Sequence, residues 1–335
     1  MSSQRIDIQT GSRLHFGIFS EPQEAGRLFR GCGMMIGSPG FCLSLQPRVG
    51  HLDSVVHAPP DYASRITALL HRLNTTLALR EQIPVEITLH SYYSQHTGLG
   101  SGTQLAMAVV DVWSALHQRS LSSVRVAMQL AGRGERSSIG STGYFHGGFL
   151  IDDGKPRLDS LGSVQTRLEF PEDWRILLIR PTQGAGLAGT AEKDAFTHID
   201  QVRHPHAHEL TRFLDVDIPA ALRERNFDAF TETIDLFGQL VGLQFSLIQG
   251  GIYASKPAAD TIAFLREQGL TGLGQSSWGP TLFAFCRTEE EALRYVNMLG
   301  GKLPYSGWEM SMTRALNSRA RVDDSSSDGE SYGPG

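Results

Sequence analysis

Apolar residues at Ile6, Ile8, Leu14 and Phe16 alternate with polar ones, and Arg13-Leu14-His15-Phe16-Gly17 reads as a strand running into a glycine break. Arg13 and His15 lie two positions apart, so they share the face opposite Leu14 and Phe16. An exposed strand face is the other reading of that pair. Phe41, Leu43 and Leu45 mark a further strand, approached through Gly31-Cys32-Gly33 and Gly37-Ser38-Pro39-Gly40, which read as loop. The period then lengthens. Tyr62, Ile66, Leu69, Leu70, Leu73 and Leu77 predict an amphipathic helix over 61–80. Val85, Ile87 and Leu89 alternate with Glu86, Thr88 and His90 as a strand, and Leu105, Val109, Trp113 and Leu116 predict a helix from about 102 to 117.

Val124, Ala127, Met128 and Ala131 place a helix near 123–133. A run rich in Gly, Ser, Thr and Arg follows from Arg133 to Gly148 and ends in a strand, 148–152. Residues 174–180 form an apolar strand stopped by Pro181. The glycine-rich segment 182–190, followed by Glu192, Lys193 and Asp194, reads as a loop over a site. Helices are predicted at 207–214, 219–230, 231–247, 256–268 and 289–299, and a strand at 281–286 follows a glycine cluster at 272–280. Trp308, Met310 and Met312 alternate in a last strand. The order of elements in this final part suggests an α+β layer. The acidic, serine-rich stretch from Asp323 to Glu330 has the composition of a disordered tail.

Composition narrows the function classes. The chain has 335 residues, 40% hydrophobic and 19% charged, with a formal net charge of −5. That balance suits a globular protein and gives no global attraction for nucleic acid or an anionic membrane. No apolar run approaches the ~18 residues of a membrane span. The start, Met1 to Arg5, has no signal-like apolar region. Cys32, Cys42 and Cys286 are too few and too scattered for a disulfide framework or a zinc site, which favours a reducing, cytoplasmic setting.

The candidate chemistry centres on Gly98-Leu99-Gly100-Ser101-Gly102-Thr103-Gln104, between the 85–90 strand and the 102–117 helix. Glycines allow backbone N–H groups to approach an anion, and a helix N-terminus adds unpaired donors and a positive dipole end. Such a loop suits a phosphate; a turn that only caps the helix is the other reading. No Gly-Lys-Ser/Thr follows, so it is not the Walker pattern, and neither a dinucleotide fingerprint nor a hydrolase nucleophile elbow is present. The clusters at 136–148 and 272–280 point with it to one cleft around a polyphosphate, with Arg13, Arg133 and Arg136 as sources of charge. His204-Pro205-His206-Ala207-His208 reads as a surface histidine run rather than a metal site, because Pro205 argues for a loop.

These motifs together resemble the GHMP kinase superfamily, and within it the β-ribofuranosylaminobenzene 5′-phosphate synthases. The likeness runs from about residue 5 to 316. It rests on Arg13 to Gly17, Gly98 to Gln104, Arg136-Ser137-Ser138-Ile139-Gly140 with His146-Gly147-Gly148-Phe149, Arg180-Pro181, and Gly274 to Pro280. It implies a two-lobed α+β fold: a ribosomal-protein-S5-like N-terminal lobe over 1–170, a ferredoxin-like C-terminal lobe over 171–318, and a tail over 319–335. The implied substrates are 5-phosphoribosyl 1-diphosphate and 4-aminobenzoate or 4-hydroxybenzoate, joined with loss of CO2 and diphosphate on the way to methanopterin-type carriers, usually with Mg2+. On this resemblance Arg13, His15, Arg136 and His146 are the candidate catalytic residues. Gly98 to Gln104, Ser137, Ser138, Gly140, Gln275, Ser276, Ser277, Trp278 and Gly279 are the candidate substrate-binding residues, and Ser101 and Thr103 the candidate metal contacts. Trp278 is expected either to stack on the benzoate ring or to pack in the core. A homodimer is the family default. Many GHMP kinases carry a catalytic Asp in the region matching 137–148; no Asp or Glu lies between Arg136 and Phe149 here, which disfavours the alternative of an ATP-dependent kinase. A non-catalytic ligand-binding relative is the second alternative.

Overall fold

The computed structural model describes residues 5–21, 26–78, 82–182 and 204–324, which fold into three sheets and the helices packed on them. The first sheet contains β1 (Ile6–Gln9), β4 (Cys42–Pro47), β5 (Ser54–Val56), β6 (Val85–Ser91) and β13 (Arg321–Asp324), in the order β13-β1-β4-β6-β5. The second runs β2 (Ser12–Phe19), β3 (Arg30–Ile36), β7 (Phe149–Asp152), β8 (Val164–Leu168). Helices α1 (Pro60–Asn74), α2 (Ser101–Leu116), α3 (Val124–Ala131) and α4 (Ile139–His146) complete this lobe. Helix α2 is buried on nearly every side, which its run Leu105-Ala106-Met107-Ala108-Val109-Val110 permits.

The third sheet holds β9 (Arg175–Pro181), β10 (Thr271–Gln275), β11 (Leu282–Cys286) and β12 (Trp308–Arg314), all antiparallel, in the order β10-β11-β9-β12. This is the split β-α-β arrangement expected of a ferredoxin-like lobe. Its helices are α5 (Ala207–Arg212), α6 (Ile218–Arg223), α7 (Phe227–Gln249), α8 (Lys256–Glu267) and α9 (Glu289–Leu299). Strand β9 is buried on both faces: Ile176 and Leu178 join the main core, while Leu177 and Ile179 pack with Ile262 and Leu265 of α8. Among the described residues no helix is long and apolar enough to cross a membrane.

Several expectations are corrected. Gly31-Cys32-Gly33 is not loop but the middle of β3, wholly buried. A Cβ on Gly31 would sit 2.1 Å from the Gly17 carbonyl oxygen, and one on Gly33 2.4 Å from that of Leu14, so the glycines serve close backbone packing against β2. Strand β2 does not end at Gly17 but passes through a bulge between His15 and Gly17 and reaches Phe19. The 61–80 helix stops at Asn74, where the hydroxyls of Thr75 and Thr76 fold back onto the carbonyls of Arg72 and Leu73. The Gly/Ser/Thr run at 133–148 contains α4. Residues 207–223 continue through a π stretch (Phe213–Asp217), and the next break falls at Asn226, whose side chain caps α7 by accepting from the Ala229 N–H. Gly272 to Gln275 belongs to β10, where the Phe283 ring covers Gly274. The tail does not begin at 319: Arg321–Asp324 pairs antiparallel with β1, a strand beyond the one expected to be last. The loop at 183–190, Glu192 to Asp194, and the tail from 325 lie outside the described residues.

Candidate active site

The first and third glycine clusters meet on β2. The Arg13 N–H donates to the Leu99 carbonyl at 3.0 Å, and the Ser277 N–H to the His15 carbonyl at 2.9 Å. The Ser276 hydroxyl accepts from the His15 N–H at 3.0 Å and donates to the Gly98 carbonyl at 2.8 Å. Gly98, at φ +80°, must be glycine: a Cβ there would lie 2.2 Å from the Ser276 carbonyl oxygen. Ser276 and Leu99 are fully buried in this seam and line neither of the two cavities that adjoin it. Gln104 is buried too, and its amide donates to the Gly140 carbonyl at 2.8 Å, tying α2 to α4.

Two adjoining cavities border the seam. One, about 300 Å³, is lined by Gly98, Gly100, Ser101, Gly102 and Thr103 together with Arg13, Arg65, His96 and Arg133. A Cβ on Gly102 would lie 3.3 Å from nitrogens of both Arg65 and Arg133, and one on Gly100 3.1 Å from Nε of Arg13. Three guanidinium groups thus border the start of α2, where helix geometry leaves backbone donors for an anion. Ser101 and Thr103 line the same cavity, with the Ser101 side chain hydrogen-bonded to Tyr62.

The other cavity, about 330 Å³, shares Arg13, Thr103, Arg133, Ser277 and Trp278 with the first and adds Arg136, His15 and Ser137. Its lining includes an apolar set, Phe16, Ile18, Val241, Phe245 and Phe283. Trp278 stands at the junction, edge-on to Phe245 with centroids 4.7 Å apart, so it packs and lines the site at once. Gly238 in the middle of α7 faces this cavity, and a Cβ there would meet nothing within 4 Å. Gln275 spends both ends of its amide on protein: Oε1 accepts from the Ala254 N–H at 2.8 Å and Nε2 donates to the Ser277 carbonyl at 3.0 Å. Gly279 turns the chain back with its N–H on the Ser276 carbonyl.

His15 is buried, and burial, then the Arg13 charge, hold its pKa well below the ordinary histidine value. Its Nδ1 accepts from the Gly17 N–H at 3.2 Å, which leaves the proton on Nε2 to be donated to Ser137 Oγ at 3.2 Å. Both ring nitrogens are therefore engaged within the protein, and the neutral ring forms part of the cavity wall. Ser138 turns away from the cavities to the buried Asp152, which accepts from the Ser138 N–H at 2.6 Å, the Ser138 hydroxyl at 2.9 Å and the Gly154 N–H at 3.0 Å. Burial pushes the Asp152 carboxyl up to about 6, against the pull of these bonds. Gly140 lies where a Cβ would come within 3.3 Å of Thr103 Cγ2, so it serves the α2–α4 contact.

His146 is not brought to the site. It is exposed at the far end of α4 and lines neither cavity. The histidine run is corrected at one position only: His206 and His208 are exposed, as expected of a surface run, but His204 is not. His204 is buried, with Nε2 on the Leu240 carbonyl and Nδ1 accepting from the His206 N–H. Among the described residues no cluster of three or more His, Cys, Asp and Glu is placed to hold a metal, and Glu135 is the one carboxylate lining either cavity. Arg65, His96 and the α7 wall went unnoticed in the sequence; each reaches the site by packing, with no local motif to mark it.

Known proteins resemble this chain in sequence and in fold. The family described as GHMP kinases N terminal domain matches residues 62–148, and GHMP kinases C terminal matches 220–303. A beta-ribofuranosylphenol 5′-phosphate synthase of Methanothermobacter thermautotrophicus is 26% identical over 297 residues, 83% of this chain and 87% of the relative. That of Methanocaldococcus jannaschii is 28% identical over 302 residues, 83% and 88% of the two chains. Among solved structures, mevalonate pyrophosphate decarboxylase from Streptococcus pyogenes superposes with a TM-score of 0.65 at 12% identity, over 95% of this chain and 98% of that one. A homoserine kinase from Listeria monocytogenes does so with a TM-score of 0.63 at 16% identity, over 96% and 99%.

Proposed function

The chain belongs to the GHMP kinase superfamily, and we propose that it transfers 5-phosphoribosyl from 5-phosphoribosyl 1-diphosphate to a 4-hydroxy- or 4-aminobenzoate, releasing CO2 and diphosphate. The names of the curated relatives support this reading. The observation that carries it is the joining of two unlike cavities: one bordered by glycines and arginines, the other with an aromatic and aliphatic wall, sharing Arg13, Thr103, Arg133, Ser277 and Trp278. The diphosphate takes the first cavity and the benzoate the second, so the ribose lies at the junction beside Trp278.

Breaking the bond from ribose C1 to diphosphate leaves an oxocarbenium-like sugar and adds negative charge to the leaving group. Fixed donors that meet this charge stabilise the transition state more than the ground state. Arg13, Arg65, Arg133 and the first turn of α2 are placed to do so, and Arg136 in the wider cavity supplies charge for the 5-phosphate. Oxygen donors at Ser101 and Thr103, without a carboxylate beside them, fit a Mg2+ that arrives on the diphosphate and keeps water ligands. Such an ion would add charge neutralisation to what the arginines provide. The reaction asks for no strong base, in keeping with a cavity lining whose one described carboxylate, Glu135, is exposed.

The deciding experiment supplies phosphoribosyl diphosphate, Mg2+ and carboxyl-labelled benzoates to the purified protein, a setting that suits an enzyme of the cytoplasm. Labelled CO2 released in step with diphosphate supports the synthase. ATP consumption with small alcohols and no CO2 from either benzoate overturns it in favour of a kinase, and binding without turnover of any of these favours the non-catalytic alternative.

A further inference from the structure

We propose that Lys155 is a positioning residue for the phosphoribosyl donor: its buried ammonium holds the 133–137 segment by the Glu135 carbonyl and so keeps Arg136 at the wider cavity. This rests on the reaction proposed above and adds the residue that sets its phosphate-facing arginine in place.

The segment joins α3 to α4, and Arg133, Gly134, Glu135, Arg136 and Ser137 all line the wider cavity. Residues 133–137 belong to neither helix nor strand, so no regular ladder fixes them. A long side chain meets an anion at lower entropic cost when the backbone that carries it is already ordered. Here the order comes from the chain that follows β7. The Gly134 carbonyl accepts from the Gly162 N–H at 3.3 Å, and Asp152 holds Ser138 by its N–H and hydroxyl. Between these two points the Glu135 carbonyl, on the peptide that leads into Arg136, accepts from Lys155 Nζ at 2.5 Å.

Lys155 is itself firmly placed. Its backbone N–H and carbonyl pair with the carbonyl and N–H of Leu28, both at 2.9 Å. Its Nζ also donates to the Leu158 carbonyl at 2.6 Å and lies 5.2 Å from the centroid of the Phe29 ring. The residue is 3% exposed. Burying an ammonium is costly, and an apolar side chain would pack on Phe29 without that cost. What the ammonium adds is donors for two carbonyls, one of them belonging to a residue of the cavity lining. Lys155 lines neither cavity, so it acts through Arg136 and not on the substrate.

A double-mutant cycle on the full chain separates positioning from general stability. Calorimetric titration with phosphoribosyl diphosphate and Mg2+ gives a Kd for the wild type, Lys155→Met, Arg136→Met and the double variant. Each single substitution is expected to weaken binding about tenfold, the scale of one charge-assisted hydrogen bond to a phosphate. The double variant should bind about as well as Arg136→Met alone, because the cation that Lys155 places is then absent. Independent losses that multiply in the double variant overturn the proposal, as does a wild-type Kd in either single variant. Should Lys155→Met fail to fold, Lys155→Gln, polar but one bond shorter and uncharged, enters the same cycle with the same overturning results. A wild type that binds phosphoribosyl diphosphate yet releases no CO2 from either benzoate defeats the underlying reaction, while the cycle still decides the role of Lys155. A wild type that does not bind it defeats both.

Discussion

The hydroxyl of Ser276 donates to the carbonyl of Gly98 at 2.8 Å, across 178 residues of chain. It accepts from the His15 N–H as well, so one buried side chain holds the glycine loop, strand β2 and the third glycine cluster together. Ser276→Ala would leave a buried donor and a buried acceptor without their partner, which costs about 1–3 kcal/mol. Urea denaturation should show that loss. Turnover should fall as well, because the loop that frames the proposed phosphate site is no longer fixed; full activity in a destabilised variant would make the seam purely structural.

Asp152 gives a pH signature. Its carboxyl is pushed up to about 6 in the folded protein, against an ordinary value of 3.8. The folded state thus binds the proton more tightly than the unfolded one. Its contribution to stability is fully present below the unfolded value and is lost as pH rises through about 6. Between pH 7 and pH 4 the wild type should gain about 2 kcal/mol relative to Asp152→Asn. Denaturation curves of both proteins at the two pH values isolate this group from the rest of the acid response. A constant difference would mean that Asp152 titrates normally.

Much of the fold was legible because local pattern and burial agree: the predicted helix at 289–299 matches α9, and the strand, glycine loop and helix from Val85 to Leu116 follow their periods closely. It was least legible where tertiary contact decides. Glycines at 31 and 33 look like loop until the carbonyls of β2 press against them. The site divides in the same way. Arg13, Arg136 and the Gly98–Thr103 loop carried a motif. Ser138 and Gln104 carried one too, yet they brace the loops from behind, a distinction that only side-chain direction reveals.

Gly238 sits in a helix interior, where glycine costs about 0.5–1 kcal/mol relative to alanine. Nothing stands in the way of a Cβ. Gly238→Ala should therefore raise the unfolding free energy by about that amount, while a larger apolar residue fills the wider cavity and raises the KM for the aromatic substrate. Thermal melts and Michaelis curves would check the two halves separately. A destabilised alanine variant would show that the space is already occupied in the folded protein.

Arg65 tests the electrostatics of the proposed diphosphate cavity from outside the recognised motifs. It lies on the exposed face of α1, and its guanidinium reaches the Gly102 position at the start of α2. Exposed side chains of this kind contribute little to stability, usually within about 0.5 kcal/mol. Arg65→Met keeps the aliphatic stem and removes the charge. The melting temperature should hold while kcat/KM for phosphoribosyl diphosphate falls about tenfold to a hundredfold, the scale of one charge-assisted hydrogen bond to a phosphate. Raising the salt concentration should weaken the wild type towards the variant, because an exposed cation acts through solvent-screened attraction. The benzoate KM should not move with it. A variant with wild-type kinetics would remove Arg65 from the site and leave the leaving group to Arg13, Arg133 and the helix terminus.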